Sequence, residues 1–434
     1  MYGLLFIGPL APVGVFGVLD ARADGAVALV YALATVAMAF TAWSYARMSR
    51  AVPNAGSVFA YASEGLGAPA GFIAGWMAML DYLLIPSVAY LFSGIALHAL
   101  VPAVPAWVFT VVAFALTTAL NLLGVKLAAR VGLVVLVGEI VVCGLFIMSA
   151  LITLATMGHG RPWLAPFVGT GHLEAPAVAG AISIAVLSYL GFDAIASFAE
   201  ESAGDSRQVG RAIVACLVVA GALFVAQTYL AAVLSAVPPA ELAARPEGQG
   251  TAFYDVARVA IGPWMATLLA VAKAIGPAFS AMAGQAAASR LLYGMARDGR
   301  LPGRLATVDE TTGVPRAALV ATALLTLGVA VWAARRADGL GLLVSIVDVG
   351  ALAAFAMLHA SVVGYFVVRR KGVATPVHFV VPVAGAVVTL WVLLGASPLA
   401  KLVGALWLGG GLLLFADGIR RDWRRGQTGL GAGS

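Results

Sequence analysis

Five ionisable side chains lie deep inside apolar stretches of this chain: Asp81, Glu139, Asp193, Lys273 and Asp348. Each costs about 2.5–3.5 kcal/mol at the centre of a membrane-spanning helix, so such residues persist where they carry ions, bind substrate or pair with one another. Four are acids and one is a base. A cavity lined in this way favours a cationic substrate, a cation or a proton. The competing structural reading is a set of ion pairs and hydrogen bonds that only fix helix packing. Lys273 sits too deep for its stem to carry the ammonium to the membrane surface, and therefore needs a partner. His98 and His359 read as hydrogen-bonded packing residues. Glu200 and Glu201, at the end of their segment, read as a solvated face. No metal-ligand cluster, phosphate-binding loop or nucleophile-and-base grouping is visible. Neither a cofactor, a metal nor an enzymatic activity is expected.

Two further stretches offer backbone rather than side chains. One reads Gly8-Pro9-Leu10-Ala11-Pro12-Val13-Gly14. Each proline removes a backbone donor and clashes with the preceding turn, so no straight helix is expected here. The other reads Ser188-Tyr189-Leu190-Gly191-Phe192-Asp193, with a glycine and a carboxylate in mid-span. Unwound backbone is tolerated at membrane depth only where it lines a cavity. Interrupted helices at corresponding places in two halves of a chain point to a transporter binding site. Their half-helix ends offer partial charges to a substrate or ion.

The elements that must position these residues are membrane helices. The chain has 434 residues, 62% hydrophobic and 11% charged, where a soluble domain carries about 25% charged residues. Lipid is the solvent for such a surface. Twelve segments are long and apolar enough to span: approximately 2–19, 25–46, 71–100, 103–124, 131–157, 176–198, 212–236, 255–285, 317–334, 340–368, 376–395 and 399–419. The chain is expected to begin directly inside the first of them, with no cleavable signal peptide. Eighteen Lys and Arg fall in one set of alternate connections, among them Arg47, Arg50, Arg369, Arg370 and Lys371, and seven in the other. That bias predicts that both termini face the cytoplasm. The net charge of +6 is thus a topology signal, and no nucleic-acid partner is expected. Cys143 and Cys216 lie inside apolar runs, which predicts buried thiols rather than a disulfide. The expected fold class is an all-α integral membrane protein of twelve transmembrane helices, with residues 1–434 forming one membrane transporter domain in the cytoplasmic (inner) membrane.

Four stretches carry a resemblance to a known family: Pro53-Asn54-Ala55-Gly56-Ser57-Val58-Phe59-Ala60-Tyr61; Gly75-Trp76-Met77-Ala78-Met79-Leu80-Asp81-Tyr82-Leu83-Leu84-Ile85-Pro86; Gly191-Phe192-Asp193 with Glu200-Glu201; and Ser289-Arg290-Leu291-Leu292-Tyr293-Gly294-Met295-Ala296-Arg297-Asp298-Gly299-Arg300-Leu301-Pro302. Over nearly its whole length the chain resembles the amino acid–polyamine–organocation transporters. The Leu-Asp-Tyr-Leu…Pro pattern is most similar to that of the family's bacterial putrescine importers. The resemblance implies a five-plus-five inverted-repeat core, approximately residues 1–157 and 176–368, with two peripheral helices within 376–419. It implies alternating access around a site between segments 1, 3, 6, 8 and 10. An acid at Asp193 matches proton-sensitive members, and Asp81 matches an acidic position of the third helix.

The departures are informative. Many amino acid carriers of the family hold the substrate carboxylate on a Gly-Ser-Gly or Gly-Thr-Gly run in segment 1, whereas here Pro12-Val13-Gly14 stands there. Pro12 has no N–H to give, which favours a substrate without a carboxylate. Against this, putrescine importers often carry an acid near the place of Gly14. Some proton-coupled relatives have a lysine where Glu139 stands; here the lysine is Lys273, in segment 8. The implied role of its ammonium is to fill the cation site of sodium-coupled relatives, paired with Glu139.

The expectation is a secondary transporter that imports a small amine or amino acid, such as putrescine, together with a proton. An exchanger of the same fold is the alternative. Substrate is expected against Gly8, Pro9, Leu10, Ala11, Pro12, Val13, Gly14, Ser188, Tyr189, Gly191 and Phe192, with Asp81 and Tyr82 beside it. Asp193, Glu139, Lys273 and Asp348 are the candidates for proton coupling and gating. The partners are that substrate, a proton and the lipid bilayer. A channel would need a polar stripe suited to a pore, and none is visible.

Overall fold

The computed structural model describes residues 7–52, 57–101, 103–123, 125–171, 173–193, 195, 206–245, 248–297, 299, 301–336, 339–371 and 373–429. Residues 53–56, Asp298, Arg300, Glu200 and Glu201, which carry part of the resemblance, lie outside the described residues. Among the described residues there is no strand. Within the described residues Ile7 is helical and a 3-10 turn follows at Ala11–Gly14, then α1 (Phe16–Arg22), α2 (Val27–Ala51), α3 (Ser57–Leu66), α4 (Ala68–Leu100), α5 (Ala106–Leu123) and α6 (Val125–Met157). Next come α7 (Ala175–Leu187), α8 (Ser206–Leu234), the short α9 (Pro239–Ala244) and α10 (Ala252–Ala260), then α11 (Pro263–Arg297) and α12 (Arg316–Ala334). The last helices are α13 (Gly339–Val362), which ends in a π-helical turn at Val363–Val368, α14 (Val377–Leu394) and α15 (Pro398–Gly429).

Ten of these helices, α2, α4, α5, α6, α8 and α11–α15, are long and apolar enough to cross a membrane. The protein is therefore a multi-pass membrane protein. Burial separates the centre from the rim: 78% of the apolar window of α4 is buried and 67% of that of α11, against 17% for α15. α4 and α11 pack along each other through the middle of the bundle. Apolar side chains on the outer faces, such as Val134, Leu406 and Leu413, are exposed, as lipid-facing positions should be.

Among the described residues, the first and sixth sequence segments do not form continuous helices. Pro9 and Pro12 prevent an α-helix from running through residues 8–15, and α7 stops at Leu187. The boundaries of segment 8 also differ from expectation. The apolar run starting at 255 joins two elements that the Gly262-Pro263 step separates, α10 and α11. α11 then continues past 285 through Ser289 and Arg290, both buried against protein rather than lipid. Their polarity ends the hydropathy signal but not the helix.

Two fastenings lock the bundle. At the end of α1, Asp20 accepts two hydrogen bonds from Arg161, each 2.7 Å, and Arg161 also donates to Ser235 Oγ at 3.1 Å. This pair ties α1 to the connection after α6 and to the end of α8. On the far flank, Trp76 of α4 and Trp407 of α15 each donate an indole N–H to the other's backbone carbonyl at 2.7 Å. Their rings stack with centroids 4.6 Å apart.

Candidate functional site

The turn before α1 is built by what its prolines cannot do. Pro9 and Pro12 have no N–H, so the chain closes tight local bonds instead. Ala11 N donates to Gly8 O at 2.8 Å, Val13 N to Leu10 O at 3.1 Å and Val15 N to Pro12 O at 3.1 Å. Gly8 takes φ +73, a left-handed conformation that glycine adopts at no steric cost. The carbonyls this turn leaves over are met from other helices. Gln227 of α8 donates to Pro9 O at 3.0 Å. Lys273 of α11 donates through Nζ to Leu10 O and Ala11 O, both at 3.4 Å.

Lys273 thus comes to rest on the broken turn, as expected of a buried ammonium that needs partners. Its Nζ also lies 4.9 Å from the ring centroid of Phe92 on α4, within cation–π range. Gly14 makes this packing possible, since a Cβ there would stand 2.9 Å from Phe92 Cε1 and 3.2 Å from Lys273 Cε. Glu139 of α6 lines the same cavity. Its carboxylate lies against Gly276, one turn along α11 from Lys273, where a Cβ would collide with Oε1. Glu139 Oε2 is buried with no hydrogen-bond partner.

The cavity itself measures about 60 Å³ and is lined by Gly8, Ala11, Phe92, Glu139, Ser188 and Lys273, among others. It is small, mostly apolar, and lies where segments 1 and 6 are both interrupted. After α7, residues 188–193 form turns, with Gly191 at φ +114. Ser188 Oγ is 2.9 Å from Tyr31 OH. Asp193 gathers three donors: Tyr82 OH at 2.6 Å, Tyr45 OH at 3.3 Å and its own Gly191 N–H at 3.2 Å. That carboxylate pins the turn to α4 and α2.

Asp81 of α4 lies within electrostatic reach of both Asp193 and Asp348 of α13, and this second acidic group is away from the cavity lining. Asp81 Oδ1 and Asp348 Oδ1 are both buried without a hydrogen-bond partner. An unsatisfied buried carboxylate oxygen is costly, and a proton or an ammonium group is what would satisfy it.

The predicted residues therefore fall into three groups. Gly8, Ala11, Glu139, Ser188 and Lys273 share one cavity. Pro9 and Leu10 present carbonyls to Gln227 and Lys273, while Pro12 and Val13 are buried outside the lining. Asp81, Tyr82, Asp193 and Asp348 belong to the acidic group. Tyr189 and Phe192 are packed elsewhere: Tyr189 OH donates to Tyr31 O at 3.1 Å, and the Phe192 ring sits 6.0 Å from Tyr45 and 6.1 Å from Phe355. Sequence reasoning missed Gln227 and Phe92. Gln227 stood out as an amide inside an apolar run, whereas Phe92 is one aromatic among many and carried no signal.

A family model described as amino acid permease matches residues 3–407. The low-affinity putrescine importer of Escherichia coli (strain K12) is 31% identical, across 96% of this chain and 91% of its own length. The methylthioribose transporter of Bacillus subtilis (strain 168) is 28% identical, across 95% of this chain and 90% of its own. A branched-chain amino acid permease of the same organism is 27% identical, with the same coverage of 95% and 90%.

Proposed function

Because the chain belongs to the amino acid permease family, whose members compared above are transporters and not enzymes, we propose that it imports a small amine together with a proton, a putrescine-like diamine being the substrate class that the site favours. The observation that carries this reading is the cavity between the two interrupted segments, with Lys273 and Glu139 on its wall. Substrate borders the backbone of Gly8–Gly14 and of Ser188–Gly191. The turn in segment 1 has little to offer a carboxylate: Pro9 and Pro12 lack donors, and the amides of Ala11 and Val13 are spent inside the turn. An ammonium group meets a better environment, since Glu139 Oε2 on the cavity wall is an acceptor with no partner.

In this reading Lys273 stands where a bound cation would otherwise bridge segments 1 and 8, so transport needs no sodium. Glu139, Asp81 and Asp348 are the groups that take up and release the coupling proton, while Asp193, already holding three donors, sets the shape of the segment 6 turn on which gating depends. The core consists of two inverted repeats, residues 1–157 and 176–368, twelve spans in all counting the two interrupted ones. The helices within 376–419 are peripheral, and both termini face the cytoplasm from the cytoplasmic membrane.

The test is uptake of labelled putrescine and leucine into liposomes carrying the purified protein, with an inward proton gradient. Putrescine should accumulate, a protonophore should abolish accumulation, and exchange of sodium for potassium should change nothing. Accumulation of leucine alone would remove the diamine assignment. Uptake indifferent to the protonophore would remove the coupling, and a sodium requirement would remove the role given to Lys273.

A further inference from the structure

A second, unrelated pocket opens at the arginine-rich end of the bundle. It measures about 480 Å³, within the range of small-ligand sites, and is lined by Arg47, Arg50, Tyr365, Lys371, Thr375 and His378, together with short apolar stretches. Its parts come from three elements: the end of α2, the chain leaving α13 and the start of α14. Among the described residues no carboxylate lines it or pairs with Arg47 or Arg50. Glu64 is engaged by Lys371 at 2.7 Å.

The floor is a stack of flat groups. Arg47 Cζ lies 5.0 Å over the Trp43 ring, and the His378 ring stacks on Phe366 at 4.2 Å. His378 Nδ1 accepts from the Thr375 amide at 3.2 Å, so in the neutral ring the proton sits on Nε2, as a donor. The N-terminus of α14, an 18-residue helix, borders the same space, and the positive end of its dipole favours an anion, although the His378, Phe379 and Val380 amides already donate to Thr375 O and Pro376 O. Two arginines without acidic partners, a lysine and a helix N-terminus thus converge on one concavity. Just beyond it, α14 presents exposed apolar side chains, Phe379, Val380, Val383 and Val387, to the membrane.

We propose that this pocket binds the phosphate of an anionic membrane phospholipid, whose acyl chains lie along the outer face of α14. The apolar face decides for a lipid over a soluble phosphate, because a free anion has no use for it. Basic pockets of this kind between membrane helices suit anionic headgroups.

Native mass spectrometry of the detergent-purified full chain, titrated with phosphatidylglycerol, phosphatidylcholine or inorganic phosphate, tests this. Wild type should retain phosphatidylglycerol at least about tenfold better than phosphatidylcholine, Arg50→Gln should lose about fivefold of that preference, and Arg47→Gln with Arg50→Gln should lose nearly all of it. Arg304→Gln, at an exposed arginine outside the pocket, should retain it in full. Arg50 is exposed, so the single Arg50→Gln variant carries the test if the double variant does not fold. Equal retention of the two lipids by wild type, or undiminished preference in Arg50→Gln, would overturn the site. Displacement of the lipid by inorganic phosphate at millimolar concentration would assign it to a soluble anion and overturn the lipid.

Discussion

At the scale of single residues, the chain spends its buried charge in two different ways. Lys273 and Glu139 face one cavity from α11 and α6, and each is the other's natural counter-charge. Removing either leaves the partner buried and uncompensated, whereas removing both leaves an uncharged site. Lys273→Met and Glu139→Gln should therefore each destabilise the purified protein, and the double variant should lose about 0.5–3 kcal/mol less than the sum of the two, measured by denaturant unfolding in micelles. Strict additivity would mean that the two groups do not sense each other. Asp309, in the connection between α11 and α12, behaves differently. The Thr311 and Thr312 hydroxyls, the Thr312 amide and then Arg316 hold its carboxyl well below the usual carboxylate range. A lowered value means that the charged form is the one the fold favours, so its contribution is complete above the unfolded value of about 3.9 and fades as pH falls below it. Asp309→Asn should loosen amide protection over residues 309–316 by the same factor at pH 8 and pH 5, the two proteins converging only in stronger acid.

The elements that hold the site were legible to different degrees. Apolar length alone located ten spanning helices, because a continuous run of about 20 apolar residues has few other uses. The interruption of segment 1 was legible in Pro9 and Pro12, since the loss of two donors is a property of the residues themselves. What no sequence pattern revealed is where side chains from distant helices meet. Gly276 looks like any other small residue of a membrane helix, yet it is the place where the Glu139 carboxylate fits against α11. Gly276→Ala should displace that carboxylate, cost about 1–3 kcal/mol by overpacking and lower uptake, as Glu139→Gln should. Gly138→Ala, beside Glu139 in sequence but with open space where its Cβ would go, should leave uptake unchanged. The eighth segment failed as a sequence reading for a related reason: buried Ser289 and Arg290 look like a helix end to any hydropathy measure, although protein surrounds them.

For the whole molecule, the buried Asp20–Arg161 pair fastens α1 to connections at the end of the bundle opposite Arg47 and Arg50. Both side chains are nearly inaccessible, at 0% and 7% exposure. Breaking such a pair from one side costs about 3–5 kcal/mol, because a charge is left buried alone. Asp20→Asn should therefore lower the melting temperature of the purified protein steeply, and Asp20→Leu combined with Arg161→Leu should recover a large part of the loss. If the two variants melted together, the pair would be a bystander to folding. The resemblance to a transporter family was readable from motifs spread over four stretches, and the family match over residues 3–407 bears it out. The grouping of the buried charges into the Glu139–Lys273 pair at the cavity and a separate trio of acids was not readable, because it depends on which faces of α4, α6, α11 and α13 turn inward.

The paired indoles of Trp76 and Trp407 have a consequence of another kind. With ring centroids 4.6 Å apart and planes inclined by only 17°, their electronic transitions do not act independently but mix into an exciton pair. The contact between α4 and α15 is therefore written into the ultraviolet circular dichroism of the native protein as a bisignate band, an optical gauge of that seam that needs no attached label.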